Sequence, residues 1–154
     1  MRLFIRPEPS GHHCMPGRKP LSKSDLLPLP AAKVRSMSLE NHMAFAVVKA
    51  GKGSREQVSA LLRMIYLAYY LREEVASGRD VEWYRQAEQA LEHCIERSVQ
   101  SNAWMLTTEE QEIVGRILSL HDAQLAAVPA HRHVRAWERL QAFLVGGIDR
   151  SIVG

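Results

Sequence analysis

The side chains best suited to chemistry in this sequence are seven histidines, two cysteines and one glycine-flanked lysine. His12-His13-Cys14, His93-Cys94 and the pair His131 and His133 could each offer nitrogen or sulfur to a metal. Adjacent residues on a helix point in different directions, however, and none of these groups shows zinc-finger or HExxH spacing. No metal site and no cofactor is expected. His121, followed by Asp122, falls on an apolar helical stripe and could be an acid/base group with a shifted pKa; a buried histidine satisfied by a hydrogen bond is the simpler expectation. No GxSxG nucleophile elbow accompanies the Ser, His and Asp residues, so no catalytic residue is assigned and a small helical enzyme using His121 ranks last.

Gly51-Lys52-Gly53-Ser54 puts a lysine and permissive backbone ahead of a helix start, where unpaired N–H groups attract anions. Ser or Thr does not follow the lysine as a P-loop requires, and an ordinary connection with glycines in left-handed geometry is expected. The flanking helices could form a helix-turn-helix. The second of them, however, carries the apolar run Leu61 to Leu71 where a DNA reader needs Arg, Asn or Gln, so a plain αα-hairpin is expected.

The elements that must position these residues follow from apolar spacing, caps and breakers. Six of the seven prolines lie in residues 1–37, which carry seven basic and two acidic residues, a balance of +5. Residues 38–154 hold 13 basic and 15 acidic residues, a balance of −2. Prolines remove donors and extend their neighbours, so 1–37 is expected to be a basic arm, flexible or ordered by a partner. Residues 38–154 are expected to form the helical domain.

Leu39, Met43, Ala46, Val47 and Ala50 predict a first helix over about 39–50 with that face inward. Ser54 with Gln57 makes a capping box for a second helix reaching about Val75, apolar nearly all round and therefore central. Asp80 caps a third, with Tyr84, Ala87, Leu91, Cys94, Ile95 and Ser98 inward, Glu82, Glu88, Glu92 and Glu96 on its wetter side, and its end near Asn102. Thr108 with Gln111 opens a fourth, with Val114, Ile117, Leu118, His121, Leu125 and Val128 inward. A fifth over about Ala130 to Val145 presents Val134, Trp137, Leu140 and Leu144 and stops at Gly146-Gly147. The fold class expected is all-α: a small antiparallel bundle of about five helices behind an extended, proline-rich basic arm.

At 154 residues and 46% apolar content, one core is expected. No run approaches the roughly 18–20 apolar residues of a membrane span, and Leu3 to Ile5 is too short for a secretory h-region. Two cysteines make no disulfide framework, so a reducing cytoplasm is the expected location. Trp104 sits in the connection Ser101 to Thr107 and either plugs the end of the bundle or anchors a protein partner.

Ser38 to Leu71 (SLENHMAFAVVKAGKGSREQVSALLRMIYLAYYL), His121-Asp122-Ala123-Gln124-Leu125 and Trp137-Glu138-Arg139-Leu140 together resemble small helical proteins of bacterial phages and other mobile elements, some labelled Fis-family regulators. That resemblance implies a bacterial accessory protein and supplies no functional residue. A basic arm on a slightly acidic body suits a polyanion or an acidic protein face. The expected function is a non-enzymatic regulatory or inhibitory module with a macromolecular partner, protein favoured and nucleic acid second. Arg18, Lys19, Lys23, Lys33 and Arg35 would contact it from the arm. Lys49, Lys52 and Arg55 would neutralise phosphates if the partner is DNA or RNA. No membrane partner is expected, and a homodimer through an exposed helix face is compatible with the sequence.

Overall fold

A computed structural model describes residues 17, 19–146 and 151–153. Its helices are α1 (Lys23–Leu26), α2 (Ala31–Lys49), α3 (Arg55–Tyr70), α4 (Val81–Ser101), α5 (Thr108–Ala127) and α6 (Ala130–Val145), with a 3₁₀ turn at Ala76–Arg79. Among the described residues no strand occurs, and the protein is an all-α bundle. As the all-round apolar character of its sequence requires, α3 is the hub, packing against α2, α4, α5 and α6. Leu61 and Ile65 of α3 meet Tyr84 and Leu91 of α4, Ile117 and Leu125 of α5 and Leu140 of α6 in one fully buried core. No helix is long and apolar enough to cross a membrane among the described residues.

Several starts and stops follow local chemistry. Ser54 and Gln57 close their capping box, Asp80 caps α4 through the Glu82 amide, and α4 ends with Asn102 in the left-handed region at φ 54°. The cap of α5 is one residue earlier than expected, on Thr107 and Glu110 rather than Thr108 and Gln111. Both registers satisfy the local pattern. The choice is tertiary, because Arg97 on α4 grips the Glu110 carboxylate at 2.6 and 3.0 Å.

Helix α3 ends at Tyr70, not Val75. Arg72 Nη1 donates to the terminal Tyr69 carbonyl at 2.9 Å, and the chain tightens around buried Gly78, whose carbonyl accepts from the Tyr84 hydroxyl at 2.7 Å. At the other end of the expected domain, α2 starts at Ala31, eight residues before the expected 39, and so runs through the expected boundary at 37/38. Proline is tolerated just ahead of a helix, so nothing after Pro30 obstructs one. Val34 and Met37 then pack against the core.

The segment before α2 also has a structural job. Ala130 at the start of α6 has a backbone donor with no partner inside its own helix, and the Leu27 carbonyl accepts from it at 2.9 Å. The Asp25 carbonyl accepts from His131 Nδ1 at 2.8 Å, which places the proton on that nitrogen. Leu29 beside this clasp is buried.

Three expected faces are corrected. In α2, Leu39 and Met43 are 60% and 58% exposed while Ala44 and Val48 are buried. Apolar residues occur on every side of α2, so periodicity does not pick the inner one. In α6 the inward stripe is His133, Ala136 and Leu140, whereas Val134 and Trp137 are 51% and 38% exposed. Glu88, expected on the wet side of α4, is 2% exposed because Ser151 Oγ and the Ile152 amide donate to it at 2.6 and 3.3 Å.

Candidate interaction surface

The basic residues singled out in the sequence separate into two groups. Lys23 lies on α1, and Lys33 and Arg35 lie in the first turns of α2. Lys19 borders a shallow cleft with His131, Val134 and Glu138 of α6. Arg18 lies outside the described residues, as do His12, His13 and Cys14. Lys49, Lys52 and Arg55 occupy the far end of α2 and the turn into α3, about 24 Å along the α2 axis from Lys33. All seven described basic residues are exposed. The arginines in ion pairs among the described residues are Arg79, Arg85, Arg97 and Arg132, so the fold uses none of these seven for that purpose.

The α2–α3 turn needs its two glycines for different reasons. Gly51 has φ +74° and occupies the left-handed geometry expected of it. Gly53 is demanded by space: a Cβ there would lie 2.8 Å from the Trp104 carbonyl oxygen and 2.9 Å from Val48 Cγ2. The turn is thereby pressed against the connection between α4 and α5. Arg97 secures that connection from behind, donating to the Met105 carbonyl at 2.9 Å as well as to Glu110. Burial raises the Glu110 pKa, but the Arg97 and Thr107 hydrogen bonds outweigh it and hold the carboxyl below its usual range.

Trp104 is half-buried, packing against the core while lining a cleft of about 670 Å³. The tertiary structure therefore brings Arg55 and Trp104, far apart in sequence, onto one surface. At the α3 N-terminus, the Ser54 amide donates to Gln57 Oε1 at 2.9 Å and the Glu56 amide to Ser54 Oγ at 3.2 Å. Donors that a phosphate would need are engaged within the capping box.

His121 belongs to a buried polar chain. Its Nδ1 donates to Gln124 Oε1 at 3.1 Å; Gln124 Nε2 donates to the Ala68 carbonyl at 2.9 Å and contacts the Tyr84 hydroxyl at 3.4 Å. Burial lowers the His121 pKa and pushes the Tyr84 hydroxyl up to about 12. This network ties α5 to α3 and α4, which is a structural role for the histidine considered for acid/base work. It also borders a cleft of about 280 Å³ with Met37, Arg63 and Trp137.

Two arrangements escaped sequence reasoning. Ser38 Oγ donates to Asp122 Oδ1 and His42 Nε2 to Asp122 Oδ2, each at 2.7 Å. The carboxylate stands between hydroxyl and imidazole, whereas a nucleophile relay places the imidazole in the middle. Spacing of i and i+4 on α2 was the available clue, but nothing linked it to α5. The second is His133, fully buried with neither ring nitrogen hydrogen-bonded; burial first, then Lys33 and His121, lower its pKa to about 4. Among the described residues no group of three or more His, Cys, Asp or Glu side chains could hold a metal ion.

Set against known proteins, the chain matches no family model, no curated protein and no solved structure.

Proposed function

We propose that this chain is a non-enzymatic regulatory or inhibitory interaction protein, the helical bundle serving as scaffold and the exposed basic residues contacting a macromolecular partner, a protein in first place. The observation that supports this is the set Lys19, Lys23, Lys33, Arg35, Lys49, Lys52 and Arg55, exposed and unused in the fold's own ion pairs among the described residues. Charges that contribute nothing to internal pairing remain available for an acidic surface. No catalytic role is assigned to His121, which is engaged with Gln124 inside the core. A bacterial, mobile-element origin rests on the sequence resemblance alone.

Because Leu29 is buried and α2 begins at Ala31, truncation at residue 37 would cut into the fold. The test is therefore a charge reversal, Lys19, Lys23, Lys33 and Arg35 all to Glu, compared with the unaltered chain in affinity capture from the host. A protein captured by the unaltered chain and lost from the variant supports the proposal. Equal capture by both removes these residues from the mechanism.

A second reading, nucleic-acid binding, is favoured by the grouping of Lys49, Lys52 and Arg55 at one turn. Phosphate neutralisation would give affinity that falls steeply with salt. Mobility-shift titrations at low salt with duplex DNA, single-stranded DNA and RNA decide it, and absence of any shift would eliminate this reading.

A further inference from the structure

Helices α4 and α6 both pack on α3 and leave an open groove between them. Its floor is one face of α3, Val58, Leu62 and Tyr66, and its walls are Ile95 and Val99 of α4 and Leu144 of α6. Trp104 borders the same cleft, and Val99 is 83% exposed. Residues 55, 58, 59, 62, 63 and 66 line it at the spacing of a single helical stripe, so it runs about 16 Å along α3, close to three helical turns. An apolar trough of that length between two helices is the shape that receives a helix presenting apolar anchors at i, i+3 or i+4, and i+7.

The charges identify the occupant. Arg55 and Arg63 line the groove two turns apart, and among the described residues no acidic residue lines it. Neither arginine is used in an ion pair among the described residues. Residues 1–18 carry Arg2, Arg6 and Arg18 against Glu8, a balance of +2 that does not complement that rim. We propose that this groove binds an acidic amphipathic helix of a partner protein, apolar side chains seated on Leu62, Tyr66 and Val99 and two carboxylates, seven or eight residues apart, paired with Arg55 and Arg63. This rests on the reading of the chain as a protein-interaction module and names the chemistry of one contact surface.

The test uses the full chain, isotope-labelled for NMR, and two synthetic 15-residue helical peptides with leucines at i, i+4 and i+7. One carries glutamates at i+1 and i+8 and the other lysines at those positions. The expected result is that the glutamate peptide binds at least tenfold tighter and shifts the Trp104 indole and Val99 resonances. Val99→Glu, at a site exposed enough to leave the fold intact, abolishes that binding, and Arg55→Glu with Arg63→Glu inverts the preference toward the lysine peptide. Equal affinity for the two peptides, no binding of either at millimolar concentration, or a self-association in light scattering that Val99→Glu disperses would overturn the proposal, the last by making a second copy the occupant. Capture of the host partner separates this from the broader reading. A partner lost on reversing Lys19, Lys23, Lys33 and Arg35 but retained by Val99→Glu leaves the interaction module standing and removes the groove.

Discussion

Arg97 and Glu110 meet through both terminal guanidinium nitrogens and both carboxylate oxygens, at 2.6 and 3.0 Å, and the same guanidinium holds the Met105 carbonyl at 2.9 Å. One side chain thus registers the α5 cap against α4 and positions the connection that carries Trp104. Arg97→Ala is expected to cost about 1–2 kcal/mol, discounted for the partial exposure of the arginine. The Glu110 pKa lies below its unfolded value, so its contribution is present above the usual carboxylate range and is lost as pH falls through the folded value. Urea melts of both proteins at successive pH values should show the gap closing in acid.

His133 adds a loss of the same sign to this titration, beginning at higher pH. Its folded pKa of about 4 lies below the ordinary 6.5, so between these values the unfolded chain binds the proton and the folded chain does not. Stability should fall as pH drops from 6.5 toward 4, by on the order of 1–3 kcal/mol from this residue. His133→Leu removes two unpaired buried nitrogens and should raise stability at pH 5 more than at pH 8. An unchanged pH slope would show that the imidazole is not the group responsible.

Gly53 and Gly115 should respond in opposite directions to alanine. A Cβ at Gly53 collides with the Trp104 carbonyl, and backbone must move, at a cost of about 1–3 kcal/mol. At Gly115, within α5, the nearest atom is Phe45 Cζ at 3.5 Å, an ordinary contact. Relief of glycine's helix penalty should stabilise the protein by roughly 0.5–1 kcal/mol. Thermal melts followed by circular dichroism check both signs.

The inner face of α2 can be tested by a contrast between two sites. Met43→Gln should change stability by no more than about 0.5 kcal/mol, because the side chain is largely in water. Val48→Ala, in a fully buried position against Gly53, should cost about 2 kcal/mol. The reverse ranking would restore the face that periodicity suggested.

By itself the sequence determined the helical class, the central place of α3, the Ser54 and Asp80 caps, the Asn102 stop and the span of α6. These depend on side chains acting on backbone within a few residues, and such information is local. Tertiary structure decided what local patterns left degenerate. Two overlapping Thr-x-x-acid/amide patterns compete at the start of α5, and only Arg97 separates them. Apolar residues surround α2, and only the position of α3 and α5 selects Ala44 and Val48. Glu88 looks wet until the C-terminal segment covers it. Among the candidate contact residues, the sequence identified Arg55 and Trp104 separately. Their meeting on one groove depends on α4 and α6 flanking α3, a relation between elements distant along the chain that no local spacing encodes.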